Sequence, residues 1–131
     1  MSIAYSVLGK TMENKIRTFK DLKVWQKGIE LVKAIYKTTR SFPKEEQYGL
    51  ISQMRRSAVS IPSNIAEGFR RRYGKEHKQF LSIALGSCAE LETQIVISKE
   101  LDYIDKNTEQ DLMVLLNHTC GMIVNLDKKI V

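Results

Sequence analysis

The chain has 131 residues, 43% of them hydrophobic and 27% charged, which suits one domain with a core of its own and excludes wholesale disorder. Uninterrupted apolar stretches of only a few residues fall short of a membrane span, no secretory signal pattern opens the chain, and two cysteines are too few for a disulfide framework, so the cytoplasm is the expected location. The net charge is +6, and residues 55–78 alone carry seven basic against two acidic side chains, a net of +5, the kind of local excess that suits a polyanion partner such as nucleic acid.

Residues 1–17 lack periodicity and read as a flexible leader, with Met12 a candidate second start, so residues 1–11 stay outside the fold argument. Residues 18–131 read as one domain of four helices. The first is expected over about 21–40, with Leu22, Trp25, Ile29, Val32 and Tyr36 on its core face and Val24, Leu31 and Ile35 widening the stripe. Pro43 stops it by disfavouring helical geometry at Phe42 and suits the first turn of the next helix.

The second helix is expected over about 44–72. Ile51, Met54, Ala58, Ile61, Ile65 and Phe69 keep one helical phase through Pro62. A helix ending at Pro62 would have no reason to resume in register, so one long helix kinked at the proline is expected, with Gly74 closing it. The third, about 75–102, carries Leu81, Ala84, Cys88, Leu91 and Ile95, broadened by Phe80, Ile83 and Leu85. The fourth, about 108–129, opens on a Thr108–Asp111 capping box and carries Leu112, Leu115, Leu116, Thr119, Ile123 and Leu126. No segment alternates as a strand does, so the fold class is all-α, an antiparallel up-down four-helix bundle.

The outer face of helix 2 carries Arg56, Ser60, Ser63, Glu67, Arg70 and Arg71, flanked by the short Ser57, Asn64, Ala66 and Gly68. Such a surface is low in the middle and cationic at both ends. It fits a solvated helix with Glu67 paired to Arg70 and Arg71, a subunit interface packed through Ser60, Ser63, Asn64 and Gly68, or a nucleic-acid surface built from Arg56, Arg70, Arg71, Arg72, Lys75 and Lys78. Gly28 and Gly86, costly inside helices, are expected at close helix approaches.

The stretches FKDLKVWQKGIELVKAIY (19–36), FP (42–43), YGLISQMRRSAVSIPSNIAEGFRR (48–71) and FLSIALGSCAELETQIVIS (80–98) together resemble the four-helix-bundle proteins first noted in intervening sequences of bacterial 23S ribosomal RNA genes. The resemblance implies a bundle that assembles into a ring, commonly a homopentamer. It also implies kinship with the accessory proteins of diversity-generating retroelements, basic pentamers that bind nucleic acid and a reverse transcriptase. It carries no catalytic residue across.

No catalytic, cofactor or metal site emerges from the residues themselves. His77 and His118 stand alone on different helices, Cys88 and Cys120 fall on or beside apolar stripes, the serines of 57–63 lack a nucleophile elbow, and Glu90, Glu92 and Glu100 lack the histidine partners of a di-iron bundle. Trp25 and Tyr36 are expected in the core or an interface. The reading is a non-enzymatic oligomeric bundle that binds RNA or DNA backbone through helix 2 and the following loop. The alternative is a scaffold for a protein partner such as a reverse transcriptase.

Overall fold

A computed structural model of the chain describes residues 16–71 and 74–130. It contains four α-helices: α1 (Lys23–Thr39), α2 (Leu50–Arg70), α3 (Gly74–Glu100) and α4 (Lys106–Lys128), with single 3-10 turns at Phe19–Asp21 and Lys44–Glu46. Among the described residues there is no strand. Each helix packs against the next, and α4 closes back on α1, making a four-helix bundle. Contacting pairs climb on one helix as they descend on its neighbour: Gly28 meets Pro62 and Thr39 meets Arg55 across α1 and α2. Across α2 and α3, Met54 meets Ser98, Ser60 meets Ser87 and Gly68 meets His77.

The core joins the main stripes expected on helices 2, 3 and 4, of which Phe80, Leu85 and Leu115 are only half-buried, to Leu31 and Ile35 of α1. Met54, Ala58, Ile61 and Ile65 of α2, Leu81, Ala84, Leu91 and Ile95 of α3, and Ile123 of α4 are all fully buried. Helix α2 runs unbroken through Pro62, which is itself buried. Its first turn differs from expectation. Gly49 separates the 3-10 turn at 44–46 from Leu50, and the Glu46 carboxylate accepts the Leu50 N–H at 3.2 Å. A side chain on Gly49 would meet that carboxylate at 2.8 Å. Gly74, expected to close helix 2, instead opens α3.

Three further expectations are corrected. On α1 the buried residues are Val24, Gly28, Leu31, Ile35 and Thr39, while Trp25 and Val32 are half-buried and Tyr36 is exposed. The two stripes overlap, and the packing of Gly28 on the Pro62 ring turns the one containing Gly28 inward. On α4 the N-cap is Asp105, whose Oδ1 accepts the Thr108 N–H at 2.8 Å, so Thr108 is a donor within the first turn rather than the cap. Ile16, counted with the leader, is buried in the core, and the Arg17 N–H donates to Asp21 at 2.8 Å. The rest of the expected leader lies outside the described residues.

By length and composition, residues 75–100 of α3 would suffice to cross a membrane, contrary to the expectation from uninterrupted stretches. The inward stripe of this helix is taken by the bundle, and Glu90 and Glu92 lie on its exposed side. Its outer side also exposes Ile83, Val96 and Ile97, so Ile83 does not broaden the core as expected.

Candidate nucleic-acid interface

The corner where α2 ends and α3 begins collects Arg70, Arg71, Lys75 and Lys78, all exposed. The Arg70 guanidinium lies 5.6 Å from the centre of the Phe19 ring. Arg71 lies 5.7 Å from the Phe80 ring centre and pairs with Glu67 at 3.6 Å and Glu76 at 3.8 Å. The expected partnership of Glu67 is thus met by Arg71, while Arg70 turns to an aromatic ring. Lys78 reaches Asp127 of α4, 3.7 Å from its carboxylate and 3.2 Å from its backbone carbonyl. These pairs are solvent-exposed, so each is worth little and yields readily to a phosphate. Arg56 lies four turns back along α2, about 21 Å from Arg70 at helical rise, with its Nη2 on Gln53 at 2.9 Å. Arg72 falls outside the described residues.

The bundle adds to this corner what the sequence kept apart. The start of α1 and the end of α4 lie at the same end of the molecule, as the Arg70–Phe19 and Lys78–Asp127 contacts require. Lys23 and Lys129 line one cleft there, of about 230 Å³. This end therefore carries Arg17, Lys20, Lys23, Lys128 and Lys129 besides the four cations of the corner. Against these nine stand Asp21, Glu67, Glu76 and Asp127, a net of +5. The remaining described residues hold nine cations and ten carboxylates, a net of −1. The five terminal cations were missed because the charge was read along the chain. The up-down topology itself was the signal, since it returns the first helix's start and the last helix's end to the α2–α3 corner.

The short residues of α2 do not form the low outer surface expected of them. Gly68 is buried, and a side chain there would meet His77 Cδ2 at 3.2 Å and the Phe80 Cβ at 3.4 Å. Ser57 is buried. Ser60 and Asn64 are half-buried in the seam with α3, where the Ser87 hydroxyl donates to Ser60 Oγ at 2.8 Å and the Asn64 amide donates to the same oxygen at 3.0 Å. Only Ser63 of the four expected interface residues is exposed. Gly28 does mark a close approach, since a Cβ there would lie 3.2 Å from the Pro62 Cβ, whereas Gly86 faces open space within the protomer. Burial pushes the Cys88 thiol up, and the neighbouring Cys120 adds to the effect. A thiol so placed is a poor nucleophile.

The family described as 23S rRNA-intervening sequence protein matches this chain over residues 20–125. A solved structure of a protein of unknown function from the S23 ribosomal protein family of Bacteroides thetaiotaomicron VPI-5482 superposes with a TM-score of 0.72. The two are 21% identical, and the match covers 80% of this chain and 98% of the other. No curated protein matches the sequence.

Proposed function

Because the chain belongs to the 23S rRNA-intervening sequence protein family, we propose that it is a non-enzymatic bundle that binds RNA or DNA backbone through its basic end. The observation that carries this reading is the concentration of nine cations against four carboxylates at that end, with the rest of the described molecule near neutrality. Arg70, Arg71, Lys75 and Lys78 form its centre, Arg72 belongs with them by sequence, and Arg17, Lys20, Lys23, Lys128 and Lys129 extend it. Arginine forks suit phosphate oxygens, and each neutralised phosphate releases counterions, so affinity falls with salt. A salt titration of a random RNA and a random duplex tests this. Binding that weakens as salt rises, and weakens again on Arg70/Arg71/Arg72→Ala, supports the reading; no binding at low salt sinks it.

A protein-facing surface is favoured by a different observation. Ile83 and Ile97 are exposed on the side of α3 where Gly86 faces open space. We assign this side to self-association into a ring, with a pentamer as the expected size, or to a protein partner such as a reverse transcriptase. Gly86→Leu has room within the protomer and should lower the native mass of an assembly that uses this face. An unchanged mass with normal helicity would remove Gly86 from any subunit contact.

A further inference from the structure

At the far end of α2 from the basic corner, a groove of about 440 Å³ opens between the end of α1 and the first turns of α2. Its lining includes Tyr36, Gln47, Tyr48, Ser52, Arg55 and Arg56, and no carboxylate. Tyr48 is 95% exposed, the most exposed of the large hydrophobic side chains described. An aromatic ring left in water on a short connection contributes nothing to the core. The Arg55 guanidinium is held in place: it lies 4.5 Å from the Tyr36 ring centre, and its Nε donates to Thr39 Oγ1 at 3.0 Å. The nearest acid in the connection, Glu46, is engaged elsewhere, accepting the Tyr103 hydroxyl at 2.8 Å and the Leu50 N–H at 3.2 Å.

We infer that this groove is a second nucleic-acid site, one that takes an unpaired nucleotide. Tyr48 stacks on the base, and Arg55 and Arg56 meet the adjoining phosphates. Aromatic rings beside arginines in a groove lined by no carboxylate are the combination by which proteins hold single strands, because every base offers a π-face and every linkage a negative charge. A duplex, with its bases already stacked on one another, has no face to offer Tyr48. The inference rests on the nucleic-acid reading above and adds a preference for unpaired strands, RNA or DNA.

The test measures binding of the full chain to oligouridine, oligothymidine and a random duplex at low salt. Tyr48→Ala should lower affinity for both single strands by about tenfold or more and leave the duplex unchanged. Tyr48→Phe should retain wild-type affinity, because stacking needs the ring and not the hydroxyl. A preference between oligouridine and oligothymidine would assign the site to RNA or to DNA. Unchanged single-strand affinity in Tyr48→Ala overturns the site, and if the native mass then changes as well, the groove is a subunit contact. Where Arg70/Arg71→Ala weakens every probe and Tyr48→Ala weakens none, only this inference fails. Where the wild type binds no probe at all, the reading of the basic end fails with it.

Discussion

Gly28 and Gly121 both sit inside helices, and replacing each by alanine should have opposite effects. A Cβ on Gly28 would lie 3.2 Å from the Pro62 Cβ and 3.6 Å from its Cα. The proline ring is tied to its own backbone and cannot swing aside, so the helices themselves must part. Overpacking of that kind costs about 1–3 kcal/mol, more than offsetting the gain of about 1 kcal/mol from removing a helical glycine. Gly121 has nothing within 4 Å of such a Cβ. Gly121→Ala should therefore raise the urea midpoint by the equivalent of up to about 1 kcal/mol, while Gly28→Ala lowers it. A rise in both would show that α1 and α2 are not in close contact at Pro62.

For the helices as elements, α2 gives the clearest demonstration of phase. Ile65 lies beyond Pro62 and is fully buried, whereas Val59 lies before it and is 40% exposed. Ile65→Ala should cost about 2–5 kcal/mol, and Val59→Ala about 0.5 kcal/mol or less. Equal costs would mean that the phase is lost at the proline. At the ends of elements, hydrogen bonds from backbone N–H groups hold two carboxyls below their ordinary range: the Thr108 N–H at Asp105, and the Arg17 and Thr18 N–H groups at Asp21. Their contribution to stability is present above the unfolded value near about pH 3.9 and is lost as pH falls through the lower folded values. Asp105→Asn retains a good capping residue that does not titrate. Its urea midpoint should match the wild type at neutral pH and fall less steeply in acid; an identical acid profile would remove Asp105 from the linkage. The buried stripes of helices 2, 3 and 4 were legible in the sequence because their apolar residues recur at spacings of three and four; on helix 3 apolar residues also occupy the outer side, which is why Ile83 was misplaced. Helix 1 was not, because Trp25, Val32 and Tyr36 compete with Val24, Leu31 and Ile35, and the choice depends on Gly28 meeting a proline 34 positions away. The burial of Gly68 was hidden for the same reason, since its partner is His77 on another helix.

Across the whole molecule, the sequence showed a basic stretch at 55–78 but not its division into two places. Arg70, Arg71, Lys75 and Lys78 converge at one end, while Arg55 and Arg56 stand about four turns away along α2 and join the groove beside Tyr36 and Tyr48. Nor did the sequence show that residues near both termini of the domain join the first of these places. Only closure of the bundle puts Arg17, Lys20, Lys23, Lys128 and Lys129 beside the corner. The result is a molecule whose described positive excess sits at one end, an arrangement that should steer an extended polyanion onto that end and orient it there.

Duplex binding between about 50 and about 200 mM salt, compared across the wild type and two variants of equal charge change, tests that polarity most directly. Arg70/Arg71/Lys75→Ala removes three cations from the basic end, and Lys44/Lys99/Lys106→Ala removes three from the opposite end. The first should lose most of the affinity and flatten the dependence on salt by about 0.9 per lost phosphate contact, and the second should bind as the wild type does. Equal losses in both would mean that only total charge matters, and would contradict a binding surface at one end of the bundle.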